Sequence, residues 1–441
     1  MFAGIDFGTS NSSLALCERE GLRFFTLDPR NLNPRVLPSC TYITRSHGIK
    51  VGIEAIEAYL DEETGRKPVW EKRSLGIIEI TVGGGGAPIT YEEEVIAEVD
   101  VAANGRLLQS IKTALRDASY EGTLVFDRFY KVEDLIAILL GALRERAEAA
   151  AGHPIREAVI GRPVTYSHDP QVDRRAQAKM RDAALHAGFD DVVFELEPIG
   201  GAYLYHQTAP RRENILVFDF GGGTLDMTTM EVGGSAPPET IATHGVLLGG
   251  DDLTAALMRT LFKWFGEGSF LPDGMPFPLQ IFHMLESWQT IVELSRPQYA
   301  AILERGKRGS DRQGIKRLEA LAARQLGFDL FQTLERTKIA LSSEDLVRLE
   351  FVRGDLRLAE WYSRAGFESL IADRLAQADE AIDELLRKSG MVAEDISAVL
   401  RTGGSAEIPA FVDLLARRFG RDRIREIDPF TTIVGVLALR G

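Results

Sequence analysis

The chain has 441 residues, 45% of them hydrophobic and 26% charged, and its formal net charge is −14 at pH 7. This composition is typical of a globular protein, and the length allows about two to four domains. The acidic balance argues against nucleic acid or an anionic membrane surface as the main partner. The longest apolar run, Leu135 to Leu143, is nine residues long, far short of the ~20 residues that a membrane-spanning helix needs.

The N-terminus and the cysteine content predict a cytoplasmic protein. No charged and apolar leader precedes Gly4, so no signal peptide is expected. The two cysteines, Cys17 and Cys40, cannot build a disulfide framework. The seven histidines form no H-x-x-x-H pair, so a structural zinc site is not expected either.

The first predicted element is a β-hairpin in GIDFGTSNSSLAL, residues 4–16, whose turn is Gly8-Thr9-Ser10-Asn11. Glycine lets the backbone approach a ligand closely, and successive N–H groups in a tight turn bind anions. Asp6 lies two residues before this turn. A carboxylate beside an anion requires a cation between them, so the stretch predicts a site for phosphate with Mg²⁺.

Strands and helices are predicted to alternate after this hairpin. The four glycines at 83–86 have no helix behind them and predict a hairpin tip, not a phosphate loop. Strands are predicted at 157–164 and 192–198, and helices at 132–152 and 173–188. This alternation is typical of an α/β fold.

A second hairpin repeats the pattern of the first in LVFDFGGGTLDMTTM, residues 216–230. Asp219 follows Asp6 by 213 residues, which is close to half the chain. Two similar hairpins at this spacing predict two related halves that face each other, each with a phosphate-binding turn and an acid at a shared cleft.

The second half is predicted to be mainly helical after this hairpin. A Gly249-Gly250 turn precedes a helix, and helical segments continue to about residue 343. A hairpin around Gly354-Asp355 and one long amphipathic helix over 366–390 follow. The basic stretch 304–317 is interpreted as a solvated linker between helices, with a docking patch for an acidic partner as the alternative.

In this order the motifs resemble the nucleotide-binding domain of the DnaK-type, seventy-kilodalton heat-shock chaperones, most closely the short YegD-like branch. The resemblance implies an α/β, actin-like ATPase fold of two lobes, each built on a ribonuclease-H-like mixed sheet with flanking helices and inserted subdomains. It implies lobe I at 1–213, with an insertion at about 40–112 and a completing C-terminal helix at about 429–441. Lobe II would span 214–428, with an enlarged insertion at about 253–365.

The resemblance also implies a site for ATP or ADP with Mg²⁺. Asp6 and Asp219 would hold the metal, mainly through water. The catalytic residues would be Lys112, Glu197, Asp219 and Thr224, with Glu197 orienting the attacking water. The implied nucleotide contacts are Gly8, Thr9, Ser10, Asn11, Gly221, Gly222, Gly223, Thr224, Gly249, Gly250, Asp251, Glu335, Lys338, Ser342, Gly403, Gly404 and Ser405.

The sequence departs from the family pattern in three places. Glu407 occupies the position of an arginine that stacks on the adenine, so weaker nucleotide binding is expected. The segment 272–325 has no counterpart in the nucleotide machinery and is predicted to face an unknown protein partner. The sequence ends at Gly441, where the family's nucleotide domain ends, so no peptide-binding domain is expected.

The predicted function is that of a chaperone-like ATPase in which hydrolysis drives closure and opening of the lobes. Three alternatives remain open: a sugar or acetate kinase of the same superfamily, an actin-like filament or scaffold subunit, and an inactive nucleotide sensor. Phosphate release without an acceptor would distinguish the ATPase from the kinase, and sedimentation with ATP would distinguish it from the filament.

Overall fold

The structure is a computed structural model that describes residues 2–18, 21–82, 89–167, 169–427, 434, 435, 437 and 438. None of the helices in these ranges combines the length and the apolar character that crossing a lipid bilayer requires.

The first half of the chain begins with strands and ends with alternating strands and helices. Its strands are β1 (Phe2–Phe7), β2 (Asn11–Glu18), β3 (Gly21–Phe24), β4 (Leu37–Pro38), β5 (Cys40–Thr44), β6 (Ile49–Val51), β7 (Trp70–Val82), β8 (Ile89–Asp100), β9 (Gly105–Gln109), β10 (Gly122–Val125), β11 (Arg128–Lys131), β12 (Glu157–Arg162) and β13 (Asp191–Leu196). Its α-helices are α1 (Ile53–Glu62), α2 (Val132–Ala151), α3 (Pro170–His186) and α4 (Glu197–Thr208), and a 3₁₀ helix covers Ile111–Arg116.

The second half contains most of the helices. Its strands are β14 (Glu213–Phe220), β15 (Leu225–Val232), β16 (Glu239–Val246), β17 (Leu346–Arg353), β18 (Leu356–Ser363), β19 (Ile396–Thr402) and β20 (Ile424–Glu426). Its α-helices are α5 (Gly250–Thr260), α6 (Leu279–His283), α7 (Trp288–Ile291), α8 (Pro297–Gly306), α9 (Arg312–Ala323), α10 (Gly327–Ser343), α11 (Arg364–Leu370), α12 (Ala372–Ser389) and α13 (Pro409–Phe419). Its 3₁₀ helices are Phe262–Phe265, Met284–Glu286, Val292–Ser295, Ala393–Asp395, Gly404–Glu407 and Arg421–Arg423.

The two halves contain sheets of the same topology. In the first, the order is β13-β12-β1-β2-β3, with β4 added beside β2; in the second it is β20-β19-β14-β15-β16. In each sheet the leading hairpin is antiparallel, and the strand on its other side pairs in parallel. The α/β, actin-like fold of two duplicated mixed sheets is therefore confirmed.

Each sheet packs its apolar face against helices. In the first half, Ile5 and Phe7 of β1 share a core with Leu139 and Leu143 of α2 and with residues of α3. In the second half, the core extends from Phe218 and Phe220 of β14 through α5 into the helices between residues 279 and 341. Each hairpin is thus held by one sheet and one core.

A smaller unit between β4 and the Ile111–Arg116 helix contacts the second half directly. It consists of the β6-β5-β9 sheet, α1 and the long β7-β8 hairpin. Phe328 of α10 is 1% exposed because it is buried among Tyr42, Tyr59 and Leu107 of this unit. The two halves therefore share a hydrophobic cluster in addition to the contacts between their hairpin turns.

Some predicted elements differ from those observed. The predicted single helix over 366–390 is wrong, because the chain leaves the helical conformation at Ile371 (φ −104°, ψ 13°), whose side chain is fully buried. The glycine run 83–86 lies outside the described residues, although the strands on both sides of it pair as a hairpin. The predicted C-terminal helix at 429–441 also lies largely outside them; Val434, Gly435, Leu437 and Ala438 are helical.

Candidate functional site

The two glycine-containing turns face each other. Asp6 in β1 lies opposite Ser13, and Asp219 in β14 lies opposite Asp226 of β15. Between the turns the packing is tight: a Cβ added at Gly222 would lie 2.3 Å from the Ser10 hydroxyl oxygen. Because the two turns face each other, the two hairpins bring the predicted acids Asp6 and Asp219 close together.

The first turn is held by β4 and by Ser39, which follows that strand. The Ser39 hydroxyl donates to the Gly8 carbonyl oxygen (2.9 Å), and the Ser39 amide donates to the Ser10 carbonyl oxygen (2.9 Å). Asn11 begins β2 and pairs with Pro38 of β4. Thr9, at the tip, lies close to Gly223 of the opposite turn.

Backbone amides and one hydroxyl group hold the second turn in place by hydrogen bonds. The Gly250 and Asp251 amides donate to the carbonyl oxygens of Gly221 and Gly222 (3.0 and 2.9 Å). A Cβ at Gly249 would lie 2.1 Å from the Gly222 carbonyl oxygen, so only glycine fits at this contact. The Ser405 hydroxyl donates to the Gly221 carbonyl oxygen (3.1 Å).

The Gly403-Gly404 turn approaches the second hairpin closely, and its backbone conformation is one that favours glycine. Gly403 has φ +86°, and a Cβ there would lie 2.3 Å from the Phe220 carbonyl oxygen, so the turn requires glycine on both counts. Gly404 is exposed, as is Glu407 at the end of the same 3₁₀ turn.

Lys112 and Glu197 form a buried ion pair close to the acids. The Lys112 Nζ lies 2.8 Å from the Glu197 Oε1, and each residue is 8% exposed. Lys112 is on the 3₁₀ helix Ile111–Arg116, and Glu197 is the first residue of α4. Gly161 in β12 leaves space for Glu197, because a Cβ at Gly161 would lie only 3.0 Å from the Glu197 Cγ. The ion pair thus connects two residues that are 85 positions apart in the sequence.

Burial and repulsion between negative charges raise the pKa values of the aspartates in this cluster. Burial, with repulsion from Glu197, raises the pKa of Asp6 to about 7, although Lys112 opposes the rise. The same two causes raise the pKa of Asp226 to about 7, and they raise that of Asp219 well above its ordinary value. Burial tends to lower the pKa of Lys112, but Glu197 and its neighbours outweigh this effect and raise it.

A second cluster of polar side chains lies where the adenosine of the nucleotide is predicted to bind. The Lys338 Nζ lies 2.7 Å from the Glu335 Oε2 and donates to the Gly250 carbonyl oxygen (3.0 Å). The Thr254 hydroxyl donates to the same Glu335 oxygen (2.7 Å). Ser342 follows Lys338 by four residues on α10, and it therefore lies on the same face of the helix.

The structure brings the predicted residues of both hairpins, the ion pair and the Gly249-Gly250 turn into one region. Their roles toward a nucleotide stay predictions. Asp251, at the start of α5, belongs to the same region: burial, opposed by Lys338, raises its pKa to about 6.

The sequence places Asp226 at the end of the second hairpin motif but gave it no role, and sequence reasoning missed Arg116. Asp226 is 2% exposed and accepts hydrogen bonds from the Thr224 side chain and from the Val164 amide (3.2 Å). Arg116 donates from its Nη2 to the Gly223 carbonyl oxygen (3.1 Å), which joins the first half to the second turn. Asp226 follows Thr224 by two residues in that motif, whereas no local signal indicates Arg116.

The charges of the site fit a bound cation. Four buried acids, Asp6, Glu197, Asp219 and Asp226, lie near one lysine, Lys112, and repulsion from Glu197 adds to burial in raising the pKa values of the three aspartates. A divalent cation would relieve this repulsion. Within the described ranges, no group of three or more acidic, histidine or cysteine side chains is placed to hold a metal ion directly. Coordination partly through water agrees with both observations.

Comparison with known proteins identifies the family. The family model described as Hsp70 protein matches residues 103–271 and 315–438, which is more than half of the chain. The chain therefore belongs to the Hsp70 family, whose members are chaperone-type, ATP-binding ATPases. The matched ranges leave out 272–314, which is most of the segment 272–325 that was predicted to have no counterpart in the nucleotide machinery.

A curated relative supports the same assignment. The chaperone protein dnaK of Cyanidioschyzon merolae is 26% identical over 436 residues, which cover 97% of this chain. The alignment covers 59% of the relative, so the chain spans less than two thirds of its length. The predicted membership of the YegD-like branch stays a prediction.

Proposed function

We propose that this protein binds ATP with Mg²⁺ between its two hairpin turns and hydrolyses it slowly to ADP and phosphate. The observation that carries the proposal is the meeting of two equivalent Asp-led turns beside the buried Lys112–Glu197 pair. Phosphoryl transfer depends mainly on positioning and on charge stabilisation, and these are what this arrangement offers.

Each residue has a distinct part in the proposed reaction. The backbone amides of the two turns bind the phosphates, and Asp6 and Asp219 would hold a Mg²⁺ ion, which would neutralise part of the phosphate charge. Lys112 stabilises the negative charge that develops on the γ-phosphate. Glu197, Asp219 and Thr224 orient the attacking water, and Glu197 also holds Lys112 in place. Glu335, Lys338 and Ser342 contact the adenosine.

We further propose that nucleotide binding and release change the relative position of the two halves. Both turns and Arg116 lie at their junction, so a ligand there contacts both halves at once. The wider activity would be chaperone-like. The segment 272–325 is the proposed surface for a protein partner. The structure places part of it, around Trp288, against the N-terminal insertion.

Single-turnover hydrolysis tests the catalytic proposal. Lys112→Met removes a charge needed chiefly in the transition state, so the rate should fall by about 10²–10³ while ATP affinity changes only a few-fold. Lys67→Met, at an exposed position, is the matched control and should hydrolyse at the parent rate.

The parent protein must release phosphate from ATP without any acceptor. Release at the uncatalysed rate would make the protein a nucleotide sensor instead of an ATPase. A Lys112→Met variant that hydrolyses at the parent rate would show that another cation acts on the γ-phosphate.

A further inference from the structure

A large cavity lies apart from the nucleotide site, between the N-terminal insertion and the helical segment of the second half. Its volume is about 1030 Å³. Its walls come from β9, the base of the β7-β8 hairpin, the residues after β9, and the segment from Trp288 to Arg296, with Arg45 after β5. Its described lining residues include none of the predicted phosphate, metal or adenosine contacts.

Arg106 differs from the other arginines of this wall. Its Nη1 donates to the Leu124 carbonyl oxygen (2.7 Å), and within the described ranges no carboxylate lies within ion-pair distance of it. Arg106 is exposed, although partial burial of its guanidinium lowers its pKa, an effect that Tyr120 and Glu293 of the same wall oppose. The remaining arginines of the wall have partners: Arg66 with Glu63 and Asp100, Arg73 with Glu71, Arg296 with Glu293, and Arg45 with backbone carbonyls.

Gln325 adds a second unsatisfied group on the same wall. It is 6% exposed, and its Nε2 has no hydrogen-bond partner in the part of the chain that the structure describes. Its backbone is in the left-handed region at φ +52°, which is unusual for a residue other than glycine. Buried polar groups normally have partners, and residues in such conformations concentrate at binding sites.

Aromatic side chains form another part of the wall, beside aliphatic and acidic residues. Four half-buried aromatic residues line the cavity: Trp70, Tyr120, Phe126 and Trp288. Flat rings of this kind bind other flat rings or apolar groups, whereas the guanidinium of Arg106 offers donors in a plane that matches a carboxylate or phosphate.

We propose that this cavity binds a small organic anion with a flat aromatic or heteroaromatic body, whose anionic group pairs with Arg106 and whose ring lies against the aromatic wall. This site is separate from the proposed ATP site and does not depend on hydrolysis. The free donors of Arg106 provide the preference for an anion, and the aromatic wall provides the preference for a ring.

Three probes with the same indole ring and different charges test this proposal on the full chain. They are indole-3-acetate, which is anionic, indole, which is neutral, and tryptamine, which is cationic. Calorimetry and ligand-observed NMR would measure the affinities with and without saturating Mg²⁺–ATP. Indole-3-acetate should bind at least about tenfold more tightly than tryptamine, and ATP should not displace it.

Variants at the arginine complete the test. Arg106→Leu should remove the preference for the anion, and Arg106→Lys should keep the preference at lower affinity. Arg35→Leu is the control, because Arg35 is exposed and does not line the cavity. If Arg106→Leu does not melt cooperatively, the lysine variant and the three probes still decide the question.

Four results would overturn the proposal. They are the absence of binding by every probe at millimolar concentration, equal affinity for the anion and the cation, unchanged affinity in Arg106→Leu, and displacement by ATP. The last result would assign the probe to the nucleotide cleft.

Discussion

Glu197 affects the site in two opposite ways. It binds Lys112 at 2.8 Å and thereby helps to keep that lysine charged, but it also raises the pKa values of Asp6, Asp219 and Asp226. A protonated carboxyl group is a poor ligand for Mg²⁺. Binding of Mg²⁺–ATP should therefore strengthen as the pH rises through about 7, where Asp6 and Asp226 lose their protons.

Glu197→Gln should shift this pH dependence toward lower pH. The change removes one negative charge from the cluster, so the pKa values of the three aspartates fall and the ionised forms persist at lower pH. Calorimetric titration of Mg²⁺–ATP from about pH 5 to pH 9 would locate the midpoint in each variant. Glu54→Gln, at an exposed position, should leave the midpoint unchanged. A midpoint that does not move in Glu197→Gln would contradict the charge coupling.

Glu407→Arg should tighten ATP binding. A guanidinium can stack on the adenine where a carboxylate cannot, and the gain should be about 0.5–2 kcal/mol. Glu407 is exposed beside the Gly403-Gly404 turn, so the larger side chain has space. Equilibrium titration with Glu407→Gln as the control separates stacking from loss of negative charge. Equal affinities of the two variants would argue against an adenine at this turn.

At the scale of single residues, the sequence predicts a functional side chain when that side chain lies next to a recognisable motif. Asp6 and Asp219 were identifiable because each precedes a glycine turn. The family resemblance implied Lys112 and Glu197 as catalytic residues, but the ion pair between them was not predicted, since these residues are far apart in sequence. Arg116 and Arg106 act through contacts that depend on the folded chain, so no local pattern marks them.

At the scale of elements, the hairpins and most helices follow from alternation and periodicity. The second hairpin and α2 are observed where the sequence predicts them. The break at Ile371 was missed because the apolar positions on both sides of it keep a helical spacing. The contact of α10 with the N-terminal insertion was also missed, because nothing in the sequence around Phe328 indicates which surface will cover it.

Phe328→Ala should destabilise the protein and weaken the contact between its halves. The side chain is almost fully buried against Tyr59, Trp288 and the N-terminal insertion, and removing such a ring costs about 3–5 kcal/mol. Chemical denaturation would measure the loss, and stopped-flow release of a fluorescent nucleotide should become faster. Phe129→Ala is the control, because Phe129 is 53% exposed. A loss below about 1 kcal/mol would contradict the role given to this cluster.

At the scale of the whole molecule, the candidate nucleotide site results from the duplication of one sheet topology in the two halves. Two sheets of the same topology place two hairpin turns in equivalent positions, and only when the halves face each other do the turns form one site. The half-length spacing of the two motifs predicted this arrangement. The cavity between the insertions was not predicted, since its walls come from segments without internal similarity.

The most direct test of the two-hairpin site is equilibrium titration of ATP in the presence of Mg²⁺ and in the presence of EDTA. We predict much tighter binding with Mg²⁺, and we predict that Asp219→Asn removes most of this difference because it removes one of the two acids that hold the metal. Asp355→Asn, on the β17-β18 turn, should behave like the parent. Equal affinities with Mg²⁺ and with EDTA in the parent protein would contradict the role of Asp6 and Asp219 and with it the proposed site.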